Sequence, residues 1–199
     1  DHWSRAERLA FLLNAYNAWT VKLVLSGYPE IESIKELGSW FRSPWEKKFI
    51  PLLGATRSLD DIEHGLIRGS AYYQDPRIHF AVNCASIGCP ALRAEAYMAD
   101  RLEAQLDEQT RLFLADRNRN RLQGSVLQVS PLFKWYREDF EKGWLDFNSL
   151  NSFFSAQAQA LELSDTDISR LRDGQIRIEY MDYDWTLNSA APAARQQAQ

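Results

Sequence analysis

The chain has 199 residues, 45% hydrophobic and 13% aromatic, enough to bury one globular core, and no run nears the roughly 18 consecutive apolar residues of a membrane-spanning helix. Its formal charge of −4, with Lys and Arg scattered among Asp and Glu, offers no basic stripe to neutralise phosphates, so nucleic acid is not an expected partner. Two cysteines are too few for a disulfide framework, their spacing lacks the paired CxxC knuckles of structural zinc, and Asp1 begins no signal peptide and reads as a trimmed or mature end.

In chain order, Ser4-Arg5-Ala6-Glu7 has the form of a capping box, with a long helix expected from there to near Gly27. Leu9, Leu12, Leu13, Tyr16, Trp19, Leu23 and Val24 keep helical spacing, while Phe11, Ala15, Ala18, Val21 and Leu25 fill much of the opposite side. That pattern predicts a helix buried nearly all round. Asn14 and Asn17 must then find partners for buried amides, either as plain cross-links to backbone or, for one of them, as the orienter of a catalytic side chain. Residues 28–44 read as loop plus a short helix around residues 31–37, with Trp40, Phe41 and Trp45 as aromatic anchors, or else as a lid. Residues 48–53 and 56–59 suggest a small hairpin about Gly54.

Ser58 caps a second helix to about Gly69, with Leu59, Ile62, Leu66 and Ile67 as its apolar stripe. His64 and Arg68 share another face with Asp60 or Asp61, as a solvated ion cluster or with His64 turned toward the segment after Asn83. That segment, DPRIHFAVNCASIGCPALR over residues 75–93, holds both cysteines and one of three histidines. Residues 77–84 alternate with the strand period, which predicts a strand with Arg77, His79 and Asn83 on one side and Ile78, Phe80, Val82 and Cys84 on the other. Ser86, Gly88 and Pro90 end it in a turn.

The second half reads as architecture. A helix is expected from about residue 96 or 98 to 115, then a polar turn over 116–124, a strand over 125–129, and helices over 130–140, 147–163 and 164–173. A last strand covers 175–180, and Ser189 onward has the composition of a disordered tail. Helices outnumber strands without alternating regularly, which gives an α+β class: a single domain over residues 1–188, with several helices packed around a small β-sheet.

Five segments in this order, FLLNAYNAWTVKLVL, SLDDIEHGLIR, DPRIHFAVNCASIGCPALR, FKWYREDF and YDWTLN, resemble the family called domain of unknown function 547, found in bacterial and eukaryotic proteins. Residues matching that family's recurrent polar positions are Asn14, Asn17, Glu63, His64, Arg68, Asp75, Arg77, His79, Asn83, Cys84, Ser86, Cys89, Asp139, Asp184 and Asn188. The resemblance implies no activity. Many bacterial members resemble exported proteins, which implies an exported or periplasmic location.

Chemistry is therefore argued from the residues. A cysteine where a regular element gives way to a turn can have its thiolate stabilised locally, and a nearby imidazole can take its proton. Cys84 fits that description, with His79 or His64 as base and Asn83, Asn17 or Asp184 as orienter. Its Asn-Cys step is similar to that of circularly permuted papain-like proteins. A regular strand would turn His79 away from Cys84, a difficulty for this reading. Other readings are a core cysteine, a disulfide or redox pair with Cys89, and a metal bound by His64, His79, Cys84 and Cys89. Two functions follow: a thiol-dependent hydrolase or acyltransferase on an amide, thioester or peptide, or a binding module gripping a carboxylate or other anion through Arg68, Arg77 and the histidines. Neither calls for a cofactor, and both imply a small-molecule or peptide ligand.

Overall fold

Helix α1, Arg5–Leu25, begins as its sequence dictates: Ser4 Oγ accepts the Glu7 N–H at 3.2 Å and the Glu7 carboxylate accepts the Ser4 N–H at 2.7 Å. A cap of this kind is worth about 1 kcal/mol. Leu9, Leu13, Tyr16 and Leu23 are buried, but Ala18, Val21 and Leu25 face outward, Leu25 with 64% of its surface exposed. The helix thus buries one broad stripe instead of all its sides. The computed structural model describes residues 2–70 and 72–189, so residues 190–199 of the expected tail lie outside the described part.

The chain is α+β, with two small sheets. The first is the expected hairpin, β1 (Ile50–Leu52) against β2 (Ala55–Arg57). Before it, short 3₁₀ turns at Ile34–Leu37 and Pro44–Glu46 bracket Trp40 and Phe41, which sit at the tip of a tight turn with 93% and 94% of their surface exposed. Only Trp45 of the three aromatics is partly buried, against Trp185, so the expected anchoring holds for Trp45 alone. The second helix is a π-helix, Asp61–Arg68, preceded by reciprocal Ser58–Asp61 hydrogen bonds.

The expected strand over 77–84 is absent. Residues Ile78–Ala81 make one helical turn, α2, after which Val82 is extended. Asp75 decides this: its carboxylate accepts the Arg77 N–H and its carbonyl accepts the Ile78 N–H, which nucleates a turn. Every residue from Asp75 to Asn83 is buried, so the alternation of polar and apolar types never had a solvent side to mark.

Helix α3, Leu102–Ala115, packs on α2. Strands β3 (Arg121–Gln123) and β4 (Val126–Val129) pair antiparallel, and β5 (Arg177–Tyr180) joins β4 in parallel with Leu127 opposite Ile178 and Val129 opposite Tyr180. The expected polar turn therefore contains a strand. The crossover between β4 and β5 carries α4 (Leu132–Trp135), α5 (Arg137–Glu141), α6 (Leu150–Ala156), α7 (Ala158–Leu161) and α8 (Asp165–Arg172). The expected helices over 130–140 and 147–163 are each broken in two, whereas α8 begins where expected, on a Ser164–Asp167 capping box.

Two cores result. One is built mainly of aliphatic residues on α1, β1 and the π-helix; the other centres on Phe80, Phe113, Phe133, Phe140, Phe153 and Phe154. Helix α2 spans both, with Ile78 and Ala81 in the first and Phe80 in the second. Among the described residues no helix is long and apolar enough to cross a membrane.

Candidate functional site

A cavity of about 220 Å³ opens beside α2, at the junction of the two cores. His79, Cys84, Cys89, Glu63 and His64 line it together with Tyr136, Tyr183 and the indoles of Trp45, Trp135 and Trp185. The one-turn helix is what brings His79 and Cys84 to one cavity. The difficulty posed by a regular strand disappears with the strand.

His79 is fully buried, and its Nε2 lies 2.7 Å from Asp139 Oδ2. The same carboxylate oxygen accepts Arg68 Nε at 2.6 Å, and Lys142 Nζ sits 2.6 Å from Oδ1. Burial opposes ionisation of Asp139, but hydrogen bonds from His79, Arg68 and Lys142 outweigh it and hold the carboxyl well below the usual carboxylate range. Burial pushes the His79 pKa down, more than the bond to Asp139 lifts it. A neutral imidazole facing an ionised carboxylate carries its proton on Nε2, which leaves Nδ1 with a lone pair. That Nδ1 is buried and has no partner among the described residues. Tyr136 stacks on the ring at 3.9 Å and donates its hydroxyl to Glu63 Oε1 at 2.8 Å, while Arg68 lies 4.9 Å over the Tyr136 ring.

Cys84 is half-buried, and its sulfur lies 3.1 Å from Tyr183 Oη and 3.5 Å from Ser86 Oγ. Hydrogen bonding from the Cys89 thiol, then from Ser86 and Tyr183, outweighs the cost of burial and brings the Cys84 pKa down to about 7. Burial and the Cys84 sulfur push Cys89 the other way, so Cys89 stays a thiol. Burial also holds the Tyr183 phenol well above its ordinary value, and it is therefore a donor. None of the hydrogen bonds of Cys84 goes to an imidazole.

Several expected site residues serve elsewhere. The Arg77 guanidinium is bound by Asp75 at 2.6 Å, Glu103 at 2.5 Å and Asp107 at 2.6 Å, a clamp between α2 and α3 and not a ligand grip. Arg68 is held by Asp139 and by His64 Nδ1, 2.7 Å from its Nη1. His64 forms the expected exposed cluster with Arg68 and with Asp60, 3.8 Å away, and also edges the cavity. Asn17 ties α1 to the chain after α2, donating to Ala81 O and accepting the Asn83 N–H, both at 2.9 Å. Asn83 donates to Pro90 O and accepts the Ala85 N–H, which shapes the turn and orients no imidazole. Asp184 is exposed and accepts its own Thr186 N–H. Asn14 binds Tyr97 N and O, a plain cross-link to backbone.

Residue-level reasoning missed the orienter, Asp139, and with it Glu63, Tyr136, Tyr183 and the indole of Trp135. The usable signal lay in FKWYREDF, where an acid stands among aromatics two helical turns after a strand. Among the described residues no group of three or more His, Cys, Asp or Glu side chains is arranged to hold a metal ion.

The segments that build α1, the π-helix, α2 and the two-cysteine turn all fall within residues 1–114, which match the model described as "Protein of unknown function, DUF547". The chain belongs to the DUF547 family. In this DUF547 chain the matched part supplies His79, Cys84, Cys89 and Glu63, whereas Tyr136, Asp139, Tyr183 and Trp185 come from beyond it. No curated protein and no solved structure matches the chain.

Proposed function

We propose that the protein is a thiol-dependent hydrolase or acyltransferase acting on an amide, thioester or peptide, with Cys84 as nucleophile, His79 as acid and base, and Asp139 as the residue that positions His79. One observation carries this reading: His79, fastened through Nε2 to Asp139 and unpartnered at Nδ1, lines the same cavity as the half-buried, low-pKa Cys84. An apolar core strand would need none of these groups. The cavity volume suits the acyl end of a small molecule or peptide.

Cys84 passes its proton through one water to the neutral His79 Nδ1, and the thiolate attacks the carbonyl carbon, forming the C–S bond as the carbonyl electrons move to oxygen. The Tyr183 hydroxyl, which lines the cavity 3.1 Å from the sulfur, is the donor available to that oxyanion. Collapse expels an amine or thiolate, which takes the proton of protonated His79. Water or another acceptor then gives a proton to His79 Nδ1 and attacks the thioester, releasing the acyl group and the thiolate. Because Cys84 and His79 share no direct hydrogen bond, the proton passes through one water or after substrate closes the gap. The anion-binding reading is weaker, since the Arg68 and Arg77 guanidiniums are already held by carboxylates.

p-Nitrophenyl acetate tests this. The wild type is expected to give an acetyl adduct on Cys84 by mass spectrometry and to turn over, Cys84→Ser to do neither, and His79→Ala to keep the adduct but lose turnover. Equal nitrophenol release by wild type and Cys84→Ser would overturn the reading.

A further inference from the structure

Cys84 and Cys89 are packed as a pair. The Cys84 N–H donates to Cys89 Sγ, 2.8 Å away, so the second sulfur lies against the first cysteine. The turn between them is fixed from outside: Gly88 N–H bonds to Asp184 O, Ile87 N–H to Thr186 O, and Asn188 N–H to Ala85 O. From inside, Asn83 bridges the turn to Pro90 O, and the Cys89 N–H bonds to Ser86 O. Their exposures differ: Cys84 opens onto the cavity and Cys89 is 4% exposed.

We propose that Cys84 and Cys89 are a reversible peroxide-reactive dithiol, with Cys84 as the attacking and Cys89 as the resolving sulfur, closing an intramolecular disulfide. This deepens the thiol reading of the same cavity, because it uses Cys84 as a nucleophile, but it needs no acyl chemistry. The co-reactant is a small hydroperoxide. The Cys84 thiolate attacks the terminal peroxide oxygen; the S–O bond forms, the O–O bond breaks, and the alkoxide leaves and takes a proton to become the alcohol. Cys89 sulfur then attacks the Cys84 sulfenic sulfur; the S–S bond forms, hydroxide leaves and combines with the Cys89 proton as water. Two thiols are oxidised to one disulfide while one hydroperoxide is reduced to alcohol and water.

The division of labour follows from the surroundings. A thiolate beside the Tyr183 and Ser86 hydroxyls and the Cys89 sulfur is available at neutral pH, whereas Cys89, on the same cavity wall, is buried and stays a thiol. Closure would consume the nucleophile, so the oxidised protein would be unable to form an acyl adduct until a thiol reductant reopened it.

The chain has only these two cysteines, so the readout is unambiguous. Reduced protein is treated with equimolar tert-butyl hydroperoxide, then analysed by intact mass and by thiol count after unfolding. The wild type is expected to lose both thiols, become lighter by two hydrogens, stay monomeric on a non-reducing gel and recover with dithiothreitol. Cys89→Ser is expected to stop at a sulfenic acid that dimedone traps, and Cys84→Ser to keep its remaining thiol. A wild type that accumulates sulfinic acid with Cys89 still free, that crosslinks only between molecules, or that keeps both thiols would overturn the proposal. Since no substrate is involved, disulfide closure without acetylation by p-nitrophenyl acetate would sink the acyl-transfer reading alone, and acetylation without closure would sink this one alone.

Discussion

The two cores of this molecule are made differently. The one around α1 is aliphatic and local in logic: its helix is capped by its own flanking residues, and its hairpin joins neighbours in sequence. The other gathers phenylalanines from α2, α3, α4, α5 and α6, with Phe80 ringed by Phe113 at 5.2 Å, Phe133 and Phe140 at 6.0 Å and Phe153 at 6.2 Å. The first core holds most of the residues that fasten the chain near the thiols; the second supplies the orienter of the imidazole. The site lies at the seam, on a helix of one turn that neither core could hold alone.

Cutting the seam from the aromatic side should have the largest effect. Phe80 is fully buried, so Phe80→Ala is expected to cost about 3–5 kcal/mol from lost transfer energy plus an unfilled cavity. Guanidinium unfolding measures it. A loss below about 1 kcal/mol would mean that the second core closes over the gap and contributes little to holding α2.

Asp139→Asn comes next. It removes the charge that Arg68 and Lys142 share and weakens the bond to His79, at a cost of about 3 kcal/mol near neutral pH, the low end for breaking a buried pair, because the amide keeps one acceptor. The pH dependence has a definite sign. Asp139 has a folded pKa below its unfolded value of about 4, so its contribution is full above that value and fades as pH falls through it. His79 is also lower when folded, and its neutral burial is favourable above about 6.5 and lost as pH falls below. Both make the wild type acid-labile. Asp139→Asn should flatten the acid limb of a stability–pH curve below about pH 4, and an unchanged limb would contradict the ionised carboxylate.

How much of this was written in the sequence divides along the same line. The helix starts at Ser4 and Ser164 and the hairpin at Gly54 were legible because each is fixed within a few residues of itself, and strands β4 and β5, although they pair across the long crossover, were legible from their own residue patterns. The α2 segment was not. Its polar residues are all buried and tied to other parts of the chain, Arg77 to α3 as well as Asp75, His79 through Nε2 to α5 and Asn83 to α1 and Pro90, so periodicity carried no information about facing. Cys84, His79 and His64 were nevertheless singled out by type, and all three line the cavity, while Asp139, 60 residues from His79, was marked only by its place among the aromatics of FKWYREDF. Trp40 and Phe41 failed for the opposite reason: nothing in the sequence said that the turn carrying them would project from the body.

Tyr183→Phe tests the seam at the thiol. Alkylation of Cys84 by iodoacetamide should rise with pH through a midpoint near 7, since the thiolate is the reacting form. Removing the phenol donor, 3.1 Å from the sulfur, should raise that midpoint by roughly half a unit to one unit, about 1 kcal/mol. Stability should change little by comparison. A midpoint that stays put would mean that Cys89 and Ser86 alone hold the thiolate.

The smallest effect is expected at Ala85, which joins Cys84 to the turn and has φ 61°, in the left-handed region. An L-residue there is disfavoured by roughly 1–2 kcal/mol, a strain that glycine removes. Two terms oppose the gain. Glycine loses about 0.4–1 kcal/mol more backbone freedom on folding, and Ala85 is buried in the first core, so its methyl contributes about 0.8 kcal/mol. The sum is near zero: Ala85→Gly should shift unfolding free energy by less than about 1 kcal/mol in either direction. Ala85→Val, β-branched at a positive φ, should destabilise clearly. The informative comparison is with Cys84 reactivity in Ala85→Gly. If the turn is held by Asn83, Asp184 and Asn188, the alkylation midpoint stays near 7 despite the freer backbone; a midpoint drifting back toward that of an ordinary thiol would make Ala85 itself the part of the turn that keeps the two sulfurs together.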